Sequence, residues 1–429
     1  VAAWNLHPAV SKHDQLHSDL IDTAARRGLV GLGSLLMLYG VPLLLFARAL
    51  RGRPDATTRA LAVAGLVVVV AFIGFGLTQS MLRDARGLAL AGASALGLGY
   101  LIAQSRQVAT CAEEALVEGL GADYVEQLDA APTPAELAVP WRKLVYPFRM
   151  REPRVTVHKN IAYDDETGRR GLLDVYVPAE APPQGAPVLL QVHGGGWTIG
   201  NKDQQGIPLM QHLAAKGWVC VAINYRLSPK HAFPAHVIDV KKAIAWIKEH
   251  IESYGGDPDY VAITGGSAGG HLCALAALTP DRVEWQPGFE DVDTSVQVAV
   301  PHYGVYDFAG STGLRSAELL RDRFLAPRIL QRTWAEEPEA FEAASPILQV
   351  TEDAPDFFVL HGQYDTLVPV DQARLFVEEL RRTSKRTVTY AELPGAQHAF
   401  DVFPSIRSSH IVRAIDRYLH WHWNQHRRG

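Results

Sequence analysis

Tyr260-Val261-Ala262-Ile263-Thr264-Gly265-Gly266-Ser267-Ala268-Gly269-Gly270, running on into His271–Leu278, is the stretch that decides the fold. Its opening run is apolar and β-branched, of strand length, and its closing run is rich in the Ala and Leu that favour helix. Between them stands Gly-x-Ser-x-Gly, which sets a serine on a sharp strand-to-helix turn with its hydroxyl exposed at the end of a sheet. The turn is too tight for side chains two positions either side of the serine, and Gly265 and Gly269 meet that demand. A phosphate-binding loop is excluded, because no Lys-Ser or Lys-Thr follows the glycines. The bland alternative is a glycine-rich turn without chemistry, so the case rests on what surrounds it.

Around this turn, short β-branched runs alternate with helical patterns, the signature of an α/β fold with a largely parallel sheet. Leu172–Val177 alternates like an early strand, and Val188–Val192 is continuously apolar, as a strand buried on both faces should be. A helix over Lys202–Lys216 and a strand over Val219–Asn224 follow. A longer helix is expected near Ala235–Tyr254, where Val237, Val240, Ile244, Ile247 and Ile251 recur at three- and four-residue spacing. Further on come a strand over Phe357–Leu360, a helix over Asp371–Arg382 and a strand over Thr387–Glu392.

Chemistry-bearing residues sit at the ends of these strands. His193-Gly194-Gly195-Gly196-Trp197 follows the buried strand, and a loop that aims N–H groups at a developing oxyanion needs glycines there. A further donor is the N–H of Ala268, directly after the serine. His193 reads as a residue that holds the loop by hydrogen bonds rather than as a catalyst. The remaining partners should follow the serine in the order acid, then histidine. Asp365 ends one later strand segment and His398 follows the next, which returns both to the same sheet edge as Ser267. Asp371 is the rival acid, but it falls in the first turn of a helix, where a carboxylate is favoured anyway. His361 is the rival base, but it lies too close in sequence to Asp365. The assignment is therefore Ser267 as nucleophile, His398 as base and Asp365 as orienting acid, needing no metal and no organic cofactor.

From about Val155 onward the chain resembles the hormone-sensitive-lipase group of esterases within the α/β-hydrolase superfamily. The matching residues are His193–Gly196, Asn224-Tyr225-Arg226-Leu227-Ser228-Pro229, Phe233-Pro234-Ala235, Gly255-Gly256-Asp257-Pro258, Gly265–Gly270, Asp365 and Gly395–Phe400. The resemblance implies that Gly195 and Gly196 supply oxyanion N–H groups alongside Ala268. It also implies an esterase that acts through an acyl-enzyme on small or short-chain esters. Trp197 stands where that group often has Phe or Tyr, and Asn224 where it usually has Asp. His-Gly-Gly-Gly-Trp, Gly200-Asn201-Lys202 and Leu173–Val177 are also similar to carbohydrate-ester hydrolases, kynurenine formamidases and prenylcysteine methylesterases. A deacetylase or formamidase is thus the alternative. Residues 308–350 carry a charged helical pattern expected to cap the site, with Phe308, Leu314, Leu319, Leu320, Phe324 and Leu325 lining either the acyl pocket or the cap's own core.

The first third has another character. Gly28–Ala47, Ala60–Leu82 and Gly87–Ser105 are uncharged apolar runs, and about twenty helical residues cross a hydrocarbon core of about 30 Å. Two or three membrane-spanning helices are expected over residues 1–105, the third run being the poorest in large apolar residues. Arg48, Arg51, Arg53 and Arg59 crowd the loop between the first two, which places that loop in the cytoplasm. Three spans then put the hydrolase on the cytoplasmic side of a bacterial inner membrane. Residues 1–105 also resemble the last part of an O-antigen ligase or polymerase, through His7-Pro8, His13-Asp14-Gln15-Leu16-His17, Arg27–Gly31 and Gly76–Ser80. Residues 106–154, with Pro132, Pro134, Pro140, Pro147 and Pro153, read as a connector carrying one helix near Cys111–Leu128. The net charge of −5 and the lack of a long basic run argue against nucleic acid as a partner. Cys111, Cys220 and Cys273 form no CxxC pair and read as buried, inert thiols.

Overall fold

A computed structural model describes residues 85–148, 150–180 and 185–428, together with Leu44. The chain divides into two compact units, Val1–Gln104 and Ser105–Gly429. The second is built on one eight-stranded sheet in the order β1-β2-β4-β3-β5-β6-β7-β8. The strands are β1 Val155–Ala162, β2 Leu172–Pro178, β3 Ala186–Val192, β4 Val219–Ile223, β5 Gly256–Gly266, β6 Val298–His302, β7 Asp356–Gly362 and β8 Val388–Leu393. β1 pairs antiparallel with β2 and β2 antiparallel with β4, while every later pair is parallel. This is the mostly parallel, helix-flanked sheet of an α/β-hydrolase.

Burial on both faces explains the strand sequences. β3 and β4 are buried at every position, so they read as continuous apolar runs rather than alternating ones. On one face Val188, Leu190 and Val192 pack with the helices Ala235–His250 and Ala268–Leu278. On the other, Leu189, Cys220 and Ala262 pack with the helices Ile207–Ala214 and Ile406–His426. Two strands stand outside the set expected from sequence, β1 and β6. β6 contains Pro301, and a proline inside an apolar run argues locally against a central strand; the ladders to β5 and β7 override it.

The expected connector is part of the second unit. The helix Ala85–Leu120 presents Val108, Ala112, Leu116 and Leu120 at four-residue spacing, and these join Tyr124, Leu189, Trp218 and Tyr418 in the core on the sheet face that bears Leu189. Cys111 Sγ donates to the Glu392 carbonyl at 3.1 Å and Tyr124 Oη to Glu113 at 2.7 Å, while Arg417 also binds Glu113. The prolines that marked a linker come after this docked helix. The third apolar run lies within the same 36-residue helix, which continues into the polar stretch beyond it. Among the described residues no helix is long and apolar enough to cross a membrane. The expected spans 28–47 and 60–82 lie outside the described residues apart from Leu44. Cys220 and Cys273 are buried as expected, but Cys111 is only half-buried; burial raises the pKa of all three thiols.

Candidate active site

Every sequence-derived site residue lies at the C-terminal edge of the parallel strands, where an open α/β sheet presents its ligand crevice. Ser267 joins β5 to the helix Ala268–Leu278 at φ 58, ψ −119, a conformation rare for a residue with a side chain. The surrounding backbone enforces it. A Cβ on Gly265 would come within 2.5 Å of the Gly269 carbonyl oxygen, and one on Gly269 within 2.1 Å of the Val192 oxygen. The two glycines are therefore steric requirements of the turn.

His398, on the loop after β8, spans the gap between acid and serine. Its Nε2 is 2.9 Å from Ser267 Oγ and its Nδ1 is 2.6 Å from Asp365 Oδ2. The other carboxylate oxygen, Oδ1, accepts from the N–H groups of Leu367 and Val368, each at 2.9 Å. Burial works to raise the Asp365 pKa, but the His398 and Val368 hydrogen bonds outweigh it and hold the carboxyl below its ordinary value. The acid thus stays ionised and fixes the tautomer with the proton on Nδ1, leaving Nε2 free to accept from the serine. Asp371 opens the helix Asp371–Thr383 and pairs with Arg374, and His361 is buried with Nε2 on the Val368 carbonyl at 2.8 Å.

The glycine loop after β3 is tied at several points. Gly194 N–H donates to Gln205 Oε1 at 2.7 Å, and Arg170 donates to the Gly200 carbonyl at 2.9 Å. Gly195 holds φ +117, open only to glycine at low cost. His193 stacks on Tyr225 at 4.3 Å with Nδ1 2.7 Å from the Gly194 carbonyl, and Tyr225 Oη donates to the His193 carbonyl at 2.9 Å. Burial depresses the His193 pKa to about 4. These contacts tie a buried His193 to the glycine loop. Ala268 is the first residue of its helix, and the first N–H groups of a helix lack intrahelical acceptors.

The two departures from the esterase pattern have structural roles. Trp197 is buried, donates from Nε1 to His271 Nδ1 at 3.2 Å, and His271 Nε2 lies 2.8 Å from the Ala344 carbonyl. The indole so joins the glycine loop, the serine helix and the segment before β7. Asn224 accepts from the Lys202 N–H at 2.8 Å and donates to the Arg169 carbonyl at 3.0 Å. A carboxylate could not make the second bond. Lys202 in turn pairs with Asp174 at 2.7 Å, both side chains buried.

The insertion between β6 and β7 carries the short helices Arg315–Leu320 and Pro338–Ala343 around a π-helical turn, Arg321–Leu330. Its apolar residues divide. Phe308 stacks on His271 at 4.2 Å and Leu325 is fully buried in the core, whereas Phe324 faces the glycine loop. A Cβ on Gly196 would meet the Phe324 ring at 3.5 Å.

The BD-FAE family model matches residues 173–380. The probable carboxylic ester hydrolase LipM of Mycobacterium tuberculosis is 46% identical over 354 residues, covering 80% of this chain and 79% of LipM. The chain belongs to this carboxylic ester hydrolase family. A second relative, the esterase LipC of the same organism, is 37% identical, with 86% of this esterase and 92% of LipC covered. Residues 105–429 make up only three-quarters of the chain, so the LipC match reaches into the segment before Ser105. That segment is shared, at least in part, with esterases, and the expected kinship to O-antigen ligases gains no support. Among solved structures, a thermophilic esterase from the Planctomycetes species Thermogutta terrifontis, with propionate bound, is 25% identical with a TM-score of 0.52. It covers 63% of this esterase and 94% of its own chain.

Proposed function

We propose that this esterase hydrolyses short-chain carboxylic esters through an acyl-enzyme on Ser267. His398, oriented by Asp365, takes the serine proton as Oγ attacks the ester carbonyl. The N–H groups of Gly195, Gly196 and Ala268 receive the oxyanion, each such donor contributing about 3–4 kcal/mol in the transition state. His398 then protonates the leaving alcohol and activates the water that releases the acid. The observation that carries this reading is the continuous bond path Asp365–His398–Ser267 at 2.6 and 2.9 Å. Phe324 standing over Gly196 supports the short acyl side, because a long chain leaving the carbonyl would meet its ring. The propionate in the Thermogutta terrifontis esterase is consistent with the same class. The test is an acyl-length series of p-nitrophenyl esters on the full chain with Ser267→Ala as control. Acetate to butyrate should be preferred and the alanine variant inert; greater activity beyond about ten carbons would refute the short-chain reading.

The apolar runs 28–47 and 60–82 extend the proposal to place. They are read as an anchor in a bacterial inner membrane with the arginines between them on the cytoplasmic side; two crossings alone turn the chain outward, and the hydrolase unit reaches the cytoplasmic side only with a third crossing over 87–105. Protease digestion of spheroplasts decides it: cleavage of the hydrolase unit from outside means two crossings, protection means three.

A further inference from the structure

Three residues beyond His398, a second carboxylate is held in a way the acyl-transfer cycle does not use. Asp401 Oδ2 lies 2.6 Å from His302 Nδ1, and Oδ1 accepts the Tyr303 hydroxyl proton. His302 is nearly inaccessible to solvent and the Asp401 carboxylate only slightly exposed. Burial would raise the Asp401 pKa, yet His302 and Tyr303 keep it below the ordinary carboxylate value, so the cluster holds a buried anion with a donor on each oxygen.

The same two residues touch both halves of the reacting pair. The His302 carbonyl accepts the Ser267 N–H at 3.0 Å, the Tyr303 N–H donates to the Leu360 carbonyl at 2.7 Å, and the Tyr303 ring lies 4.7 Å from the His398 ring. The phenol is wedged so closely that a Cβ on Gly266 would stand 2.5 Å from its oxygen. Tyr303 holds φ 37, a conformation that costs about 1–3 kcal/mol and persists only where its surroundings over-determine it.

We infer that Asp401 is a positioning residue, which through His302 and Tyr303 fastens the loop bearing His398 to the serine turn and so sets the Ser267–His398 approach. His398 reaches Ser267 from a loop rather than from a strand, and a misplacement of about 1 Å at such a pair costs about 10²-fold in rate. This inference rests on the assignment of Ser267 and His398 above. Asp401 itself touches neither substrate nor reacting atom.

The test compares Asp401→Ala and Tyr303→Phe with the parent full-length chain. The readouts are kcat and KM on p-nitrophenyl butyrate, the rate at which a fluorophosphonate labels Ser267, and the thermal midpoint. Both kcat and labelling rate should fall together, by about 30–100-fold for Asp401→Ala and about tenfold for Tyr303→Phe, with KM within threefold. A merely structural role predicts a lower midpoint with kcat and labelling unchanged below it, and that result overturns the inference. Tyr303→Phe keeps the ring and the packing, so it decides the matter should Asp401→Ala not fold. Failure of the underlying assignment reads differently: turnover would survive in Ser267→Ala.

Discussion

His398 Nδ1 and Asp365 Oδ2 stand 2.6 Å apart, while the remaining Asp365 oxygen is occupied by two backbone amides. The carboxylate cannot rotate away without abandoning both amides. Asp365→Asn can keep the amide bonds through its carbonyl and then presents NH₂ to the imidazole. His398 must accept at Nδ1 and carry its proton on Nε2, where it can no longer take one from Ser267. The expected loss in kcat is about 10³–10⁴-fold with KM little changed. Steady-state kinetics on p-nitrophenyl butyrate check this, and a loss below tenfold would transfer the acid's role elsewhere.

Phe324→Ala should lengthen the accepted acyl chain. Each buried methylene contributes about 0.8 kcal/mol, close to fourfold in kcat/KM. Opening room for two should raise the hexanoate-to-butyrate ratio of kcat/KM by about fifteenfold. An unchanged ratio would show that the acyl chain leaves Gly196 in another direction.

Lys202 and Asp174 form a buried pair beyond the glycine loop. Removing one partner leaves an uncompensated buried charge, so Lys202→Met should cost about 3–5 kcal/mol in a denaturant melt. Replacing both, Lys202→Met with Asp174→Leu, should recover most of that loss. If the single variant costs under 1 kcal/mol, water must reach the pair.

Stability should fall steeply in acid. Burial lowers His193 to a pKa of about 4, and His236 and His271 to about 3, against about 6.5 in an unfolded chain. The unfolded state therefore binds these protons first as pH falls. The stabilisation is complete above about pH 6.5 and is lost progressively down to pH 4, at about 1.4 kcal/mol per unit for each histidine. His420 works oppositely: burial would lower it, but the Asp416 carboxylate raises it. That effect is confined to pH above about 6.5, so below it the three imidazoles together give a slope of about 4 kcal/mol per pH unit. Urea midpoints at pH 7, 6 and 5 measure it, and equal stability at pH 7 and 5 would contradict the burial of neutral imidazoles.

Local chemistry made much of this protein legible without coordinates. Val188–Val192, Val219–Ile223 and Tyr260–Thr264 announce buried strands because residues enclosed on both faces must be apolar. Gly265, Ser267 and Gly269 announce the turn because backbone contact there forbids a Cβ. Asp365 and His398 follow from chain order and from their places after strands.

Tertiary structure alone decided what depends on crossing between distant segments. Pro301 argues against a strand until β5 and β7 flank it, and the helix over Val108–Leu120 reads as a connector until a sheet face lies beneath it. Phe308 and Phe324 carry the same side chain in the same insertion, yet one packs on His271 and the other faces Gly196. Asp401 gives no local sign of its bonds to His302 and Tyr303, about a hundred residues away. Sequence fixes what a residue can donate, accept or bury, but the partner that takes it up is chosen by strand order and register, which the whole sheet settles together.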